Sequence, residues 1–599
     1  MRISFLFLLK KAVKCSKNIR GEFMISTRLE YKIEDTKDSF KILRINKDNK
    51  WIYIGSKYNM KLEIEKFLKD LDEFEVDEKK SIIIVFGFGT GEHIKVLREK
   101  YKNNEIIVFE PNINLKEYIN EFECLNKDDK IKIFCDESID VKEIVKSKIN
   151  QFNLFHSKFI YFSNYYKIYK LEMEEFLLEL KKIFYNLKLD LNTAIYTSES
   201  GFLSLLENIE YMMEGVPADI YENEYKDKPA VIVSAGPSLE KNIDCLKEIN
   251  NDMIILTGGR TLRTLIDKNI KPHLLGVVDP NEVSYKLCEG YLENSNVPLL
   301  FFEETNSKVV KNHKGEKIFF TYNNAIAKIS GVEMKPLLTG GSVAHILLSY
   351  AIMLGCSPII FVGQDLAYTG EKSHAEIADN RDNVNWFEKL KAEDDIYVYD
   401  INGKKVRTSL TLNKYRETIE EIIADNSDRK FINATEGGSR IKGTIEMSLK
   451  EAIAKYKEQS FNIFEEKEYN VDIKKNVIKA LEKTKKDCND IIRLYKEGLY
   501  LIEKLKKYSK LKNTSYVNEI LNKLNVIDDK AQRKYENMEL IKSLIYPIIY
   551  EILSQRTIDT SDKKNELYIY KENERFYTEL IEKLKYAEDN IESTLNKLR

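Results

Sequence analysis

The sequence holds no CxxC pair. Its seven cysteines (Cys15, Cys124, Cys135, Cys245, Cys288, Cys356 and Cys488) are odd in number and widely spaced. That pattern excludes a disulfide framework and a thiolate zinc site, and it points to a reducing, cytoplasmic setting. An excess of one charge is lacking too: 95 Lys and Arg stand against 97 Asp and Glu, a formal net charge of −2. The two signs interleave, as in Glu482-Lys483-Thr484-Lys485-Lys486-Asp487, which argues against a nucleic-acid surface. No apolar run reaches the roughly 20 residues of a membrane span. The segment Met1–Lys11 carries only a short one, at the lower limit for a signal-peptide core and with no small-residue cleavage site close behind it; Met24 is an alternative start. Low-complexity tracts and a carboxylate arrangement suited to a metal are also absent. Histidine is scarce, confined to His93, His156, His273, His313, His345 and His374.

What is present suffices for several folded domains. At 599 residues the chain exceeds the size, about 250–300 residues, at which a single core stops growing. Hydrophobic residues at 43% and charged residues at 32% fit a folded soluble protein. Short apolar stretches such as Trp51–Tyr58 predict strands of a small N-terminal lobe over 1–75. Ser81–Phe86, the turn Gly87-Phe88-Gly89-Thr90-Gly91, a helix from Glu92 to Tyr101 and the strand Ile106–Phe109 open a Rossmann-like domain over 76–190. Strands at Ala230–Ser234, Met253–Leu256, Leu274–Val278, Pro298–Phe302, Lys317–Phe320 and Pro358–Val362 alternate with helices and predict a parallel-sheet domain over 191–458. Over 459–599 helical periodicity takes over. Val477, Leu481, Thr484, Cys488, Ile491, Tyr495, Gly498, Ile502 and Leu505 mark the buried seam of a helix in a C-terminal helical domain. The class is multidomain α/β.

Three motifs carry possible chemistry. In Ser234-Ala235-Gly236-Pro237-Ser238 a buried strand runs into a turn and a predicted helix, Leu239–Ile249, whose first-turn amides would attract a phosphate. Thr339-Gly340-Gly341-Ser342 precedes a second, almost wholly apolar helix, Val343–Leu354, in which His345 reads as a core histidine more readily than as a catalyst. The strand Pro358–Val362 ends in Gly363-Gln364-Asp365-Leu366-Ala367-Tyr368, with His374 close behind. Ligands of open α/β sheets bind beyond the carboxyl ends of the strands, where Thr257, Gly258 and Asp279 would also lie. A lone Asp in such a place is more often a cap or turn residue.

The blocks Ser234–Leu239, Val277-Val278-Asp279-Pro280 and Leu338–His345 with Gly363–Tyr368 resemble the motility accessory factor (Maf) family of flagellin glycosyltransferases. Tyr53–Tyr58 and Val108–Asn112 resemble its N-terminal signatures. The central blocks also resemble bacterial CMP-sialic-acid-dependent sialyltransferases. The resemblance implies inverting, metal-independent transfer of a pseudaminic- or legionaminic-type nonulosonic acid from its CMP derivative to Ser or Thr of flagellin, with no essential cofactor. By that resemblance Gly236, Pro237 and Ser238 lie at the nucleotide and Thr339, Gly340, Gly341 and Ser342 near the CMP or sugar; the strand-end reading adds Ser234, Thr257, Gly258, Asp279 and Gln364 at the sugar nucleotide and makes His374 and Asp365, with Tyr368, the catalytic candidates. Tyr368 and His374 fall where the sialyltransferases place two tyrosines on the leaving phosphate. Those enzymes take their base from a histidine further downstream, and this chain has none after His374.

Other readings compete. The Gly87–Gly91 turn with Glu110 at the second strand fits an S-adenosylmethionine-dependent methyltransferase; within the Maf resemblance the same region is a scaffold. The Gly-Pro-Ser-Leu loop is shared with archaeal hydroxymethylpterin pyrophosphokinases. A non-enzymatic flagellin-binding protein is a further alternative.

Overall fold

The structure, a computed structural model, describes residues 26–599 except 73–75, 78–79, 138–139, 322–324, 373, 379–394, 470–472, 511–513 and 555–562. The N-terminal apolar run and Met24 lie outside the described residues. The chain forms two compact units, one from the described residues of Met1–Thr193 and Ile549–Ile569, the other from Ala194–Ile548 and Tyr570–Arg599.

The first unit holds an antiparallel sheet of β1 (Tyr31–Asp35), β2 (Lys41–Lys47) and β3 (Lys50–Ile54). Beside it is a parallel sheet of β4 (Ile82–Phe86), β5 (Glu105–Phe109), β6 (Ile131–Phe134) and β7 (Lys158–Tyr161), in the order β6-β5-β4-β7. All five residues of β4 are buried, as a strand covered on both faces requires. The two sheets share one core through residues such as Leu43, Ile54, Ile84 and Phe86. The Rossmann-like reading of the sequence is thus realised.

The second unit is built on a nine-stranded, wholly parallel sheet. Its strands are β8 (Val216–Pro217), β9 (Ala230–Val233), β10 (Ile254–Gly258), β11 (Leu274–Val277), β12 (Leu299–Phe302), β13 (Lys317–Phe320), β14 (Ile359–Val362), β17 (Phe431–Asn433) and β18 (Ile445–Glu446). An antiparallel hairpin, β15 (Asp395–Tyr399) and β16 (Lys405–Ser409), is inserted between β14 and β17. The order is β18-β17-β14-β9-β10-β11-β12-β13-β8. One face of the sheet packs on the helices Val343–Met353 and Leu410–Asp425, through Ile232, Leu256 and Phe361 meeting Leu347, Leu348 and Ile419. On the other face, Val231, Ile255 and Ile360 pack near Leu246 and Leu449, and Leu275, Phe301 and Phe319 join the C-terminal helices.

The expected C-terminal helical region is present, led by Lys474–Lys510, Thr514–Tyr535 and Lys563–Leu598. All nine predicted seam residues are buried on Lys474–Lys510. The two seam positions least like a hydrophobic stripe have physical reasons. A Cβ on Gly498 would come within 2.5 Å of the Tyr577 ring, so the glycine is the hole that ring fills. Thr484 returns its hydroxyl to the Ala480 carbonyl at 2.9 Å and so buries no unmet donor.

At the tip of β12 the unit buries a carboxyl. Glu303 is 1% exposed, its Oε2 has no partner among the described residues, and burial pushes its proton affinity well above the usual carboxylate range. The folded state therefore holds this proton more tightly than the unfolded chain. Stability is expected to fall as pH rises above the ordinary glutamate value toward the raised native one. Glu303→Gln, neutral throughout, should remove that slope. Melting curves of both proteins from pH 5 to 8 should diverge with pH, the variant becoming the relatively more stable; parallel curves would refute the assignment.

Candidate active site

The sheet grows outward from β9 in two directions. Successive strands β10 to β13 add on one side, then the chain returns through the helix Val343–Met353 and lays β14 against the other. Right-handed crossovers send the connections on the two sides to opposite faces, so the loops leaving β9 and β14 flank the switch point of the sheet, the place at the carboxyl ends where ligands of open α/β sheets bind. Those loops are the first and third motifs.

The structure brings most of their residues together. The Ser234 hydroxyl donates to Gln364 Oε1, and the Gly236 amide donates to the Gly363 carbonyl at 2.7 Å. Asp365 Oδ1 accepts from the Ser238 hydroxyl at 2.6 Å and from the Ser238 amide at 3.2 Å, and its Oδ2 accepts from the Thr369 hydroxyl. A third segment locks in from the end of β17. The Ser439 amide donates to the Asp365 carbonyl at 2.7 Å, and Gly438, at φ +71°, comes so close that a Cβ would lie 2.2 Å from that oxygen. At Gly236 a Cβ would lie 2.1 Å from Asp365 Oδ1, so the glycine serves contact between loops. Burial raises the affinity of Asp365 for its proton, and the Ser238 and Thr369 bonds oppose that rise. At 2% exposure, with both oxygens engaged, its carboxylate pins the Gly-Pro-Ser turn.

The hairpin supplies a residue that motif reading missed. The Tyr368 amide donates to the Arg407 carbonyl at 2.9 Å, and the Arg407 guanidinium lies 4.4 Å from the centre of the Tyr368 ring, a stacked cation–aromatic pair. Pro237 sits half-buried between Gly236 and Ser238. His374 follows beside the turn after β9: its neighbour Ala375 donates its amide to the Ala235 carbonyl at 2.9 Å, and His374 is itself half-buried.

Other expectations change. The helix after Ser238 spans only Leu239–Asn242 and continues as a 3-10 segment, Ile243–Glu248. The amides of Gly236, Ser238, Leu239 and Glu240 are spent within the chain, so this turn is not a phosphate-binding helix N-terminus. Thr257 is fully buried and pairs with the Thr261 hydroxyl at 2.6 Å. Gly258 is packed so tightly that a Cβ would meet Val343 at 2.8 Å. Asp279 is exposed and closes a turn by accepting from the Asn281 amide at 2.9 Å, the bland fate of a strand-end aspartate. Thr339, Gly340, Gly341 and Ser342 form a separate loop before the helix Val343–Met353, which Ser342 caps. A shallow groove of about 430 Å³ among Asp490, Arg493, Glu497, Lys530 and Lys534 lies on the C-terminal helices; its charges of both signs offer no convergent donor set. Among the described residues no cluster of His, Cys, Asp and Glu could hold a metal, and no helix is long and apolar enough to cross a membrane.

In the first unit the corresponding position is filled by side chains. Glu110 Oε2 accepts from the Phe88 amide at 2.8 Å, the Gly89 amide at 3.3 Å and the Tyr165 hydroxyl at 2.6 Å, and Oε1 accepts from the Asn112 amide at 2.9 Å. Tyr165, fully buried, lies where a Cβ on Gly87 would meet its ring at 2.7 Å. The glycine turn makes room for a tyrosine, and Glu110, 0% exposed beneath it, is closed off from ribose hydroxyls. The geometry therefore opposes the methyltransferase reading.

No curated protein matches the chain. A family described as 6-hydroxymethylpterin diphosphokinase MptE-like matches residues 203–371, the stretch from before β8 to just past Tyr368. Among solved structures the chain is similar to the Maf glycosyltransferase from Magnetospirillum magneticum AMB-1, with a TM-score of 0.53 and 15% identity over 99% of this chain and 97% of that one. The likeness to Maf proteins seen in the motifs thus extends, as a fold, along almost the whole chain: it has the architecture of a Maf glycosyltransferase with an MptE-like segment at its centre.

Proposed function

We propose that the chain is a cytoplasmic glycosyltransferase that moves a pseudaminic- or legionaminic-type nonulosonic acid from its CMP derivative to Ser or Thr hydroxyls of flagellin. The observation that supports this reading is that the loops after β9 and β14, with Ser234, Gln364 and the Tyr368–Arg407 pair, meet at the switch point of the sheet, in a chain with the Maf glycosyltransferase fold throughout. In the reaction the bond from the anomeric carbon to the phosphate oxygen breaks and the bond to the acceptor oxygen forms on the opposite face, inverting the centre. CMP leaves with the electron pair, and the acceptor loses its proton. Tyr368 and Arg407 stabilise charge on the departing phosphate. His374 takes the acceptor proton, a role worth typically ~10²–10⁴ in rate. Asp365 is a positioning residue that fixes the turn. No metal or further cofactor takes part.

The test is the intact mass of flagellin from cells that make the CMP-sugar, with and without this protein. A mass increase of whole sugar units is expected only with it; an unchanged mass refutes the proposal. The family match over residues 203–371 favours a second reading, ATP-dependent diphosphorylation of a hydroxymethylpterin. Release of AMP from ATP on addition of that pterin, without any transfer to flagellin, would establish it instead.

A further inference from the structure

Beneath the loop Thr339–Gly341 lies an imidazole with an unused nitrogen. His345 is fully buried in the first turn of the 11-residue helix Val343–Met353. Its Nε2 is 2.9 Å from the Tyr415 carbonyl oxygen. A carbonyl can only accept, so Nε2 carries the hydrogen and Nδ1 of the neutral ring is a bare lone pair. Burial lowers the pKa to about 4, which keeps the ring neutral at physiological pH. Among the described residues Nδ1 has no hydrogen-bond partner. It faces Gly340, where a Cβ would lie 2.6 Å from Nδ1 and 2.5 Å from Thr418 Cγ2; only glycine can cover the ring at this distance.

The cover is held at its ends alone. The Leu337 amide donates to the Thr321 carbonyl at 3.1 Å and the Leu338 amide to the Ser349 hydroxyl at 2.9 Å. Beyond the loop, Ser342 caps the Ala344 amide. Between these anchors the backbone of Thr339–Gly341 makes no hydrogen bond among the described residues, and Thr339 and Gly341 are exposed. A buried acceptor without a donor is unfavourable in the closed state, and a ligand that supplies a donor relieves it. The first residue of the helix, Val343, rests against Gly258 at the end of β10, next to β9, so the imidazole lies at the same edge of the sheet as the loops after β9 and β14.

We infer that Thr339–Gly341 is a strap over a nucleoside subsite, in which His345 Nδ1 accepts a hydrogen bond from the donor nucleotide's exocyclic amino group or a ribose hydroxyl. The inference rests on the CMP-sugar reading and adds the residue that recognises the nucleoside. An acceptor fixed in this way also discriminates, since a ligand lacking the matching donor leaves it unmet.

The probe is CMP, added to the full chain labelled with ¹⁵N at its six histidines. The Nδ1 resonance of His345 is expected to shift on saturation. By calorimetry, His345→Gln, which keeps an amide able to reach the Tyr415 carbonyl but has no acceptor at the Nδ1 position, should weaken CMP by about 10- to 100-fold. Titrations with UMP and with 2′-deoxy-CMP identify the partner group: whichever loses affinity for wild type should lose little more for the Gln variant. CMP binding that leaves the Nδ1 resonance unmoved, or equal CMP affinity in His345→Gln, overturns the inference and leaves the glycosyltransferase proposal standing. Failure of the wild type to bind CMP at all overturns both. Should the variant unfold, the wild-type resonance decides by itself.

Discussion

Asp365→Ala is expected to abolish sugar transfer and to destabilise the second unit by on the order of 3 kcal/mol, measured as CMP release and as a lowered calorimetric melting temperature. The carboxylate accepts from the Ser238 amide, the Ser238 hydroxyl and the Thr369 hydroxyl in a place that is 2% exposed. Hydrogen bonds to a charged group contribute about 1.5–3 kcal/mol each, and buried donors left unmet add to the loss. With the clamp gone, the turn after β9 is no longer held to the loop after β14, and a displacement of about 1 Å in a site can cost ~10²-fold in rate. Asp365→Asn separates positioning from proton transfer, because one carbonyl oxygen still accepts while the group can no longer act as a base. A positioning role predicts substantial residual turnover in Asn and none in Ala. Equal loss in both variants with unchanged melting would show that the residue takes part in the chemistry directly and is not a clamp.

Tyr165→Ala should cost about 3–5 kcal/mol, the range for removing a large buried aromatic, seen as a lower melting transition of the first unit. The ring fills the crevice that the Gly87–Gly91 turn leaves open, stacks on Tyr169 at 5.2 Å, and gives its hydroxyl to Glu110. Losing it leaves both a cavity and a buried carboxyl with one donor fewer. Tyr165→Phe keeps the volume and should cost only about 1–2 kcal/mol. Because Tyr165 occupies the cofactor's place, S-adenosylmethionine titrated into the wild-type chain should give no binding heat. A saturable signal there, or an unaltered melting curve for Tyr165→Ala, would show that the tyrosine is not a plug.

Much of this fold is legible in the sequence. Strands buried on both faces read as short unbroken apolar runs, and Ile82–Phe86, Ala230–Val233 and Ile359–Val362 are such runs. The seam from Val477 to Leu505 is legible because a helix repeats its buried face every three or four residues. Where the signal is short, reading fails. β17 and β18 have three and two residues, too few for a periodicity, so the strand end that brings Gly438 to Asp365 went unseen. The segment after Ser238 carries the apolar spacing of one helix and forms a four-residue turn and a 3-10 piece instead, because the amides that would begin the helix bond to Asp365 and Gly363. Arg407 has no motif at all; it reaches Tyr368 only because an inserted hairpin docks on the loop after β14.

The sequence by itself determined which segments become strands and that glycines and polar residues cluster at their ends, since apolar runs and turn residues act locally. Which of those ends meet was decided by the tertiary structure alone. Strand order follows from the handedness of the crossovers and from helices covering both faces, and neither leaves a local trace. Ser238 and Asp365, 127 residues apart, therefore share a buried hydrogen bond beside β9, whereas Asp279, at the end of an equally regular strand, stays in solvent closing a turn.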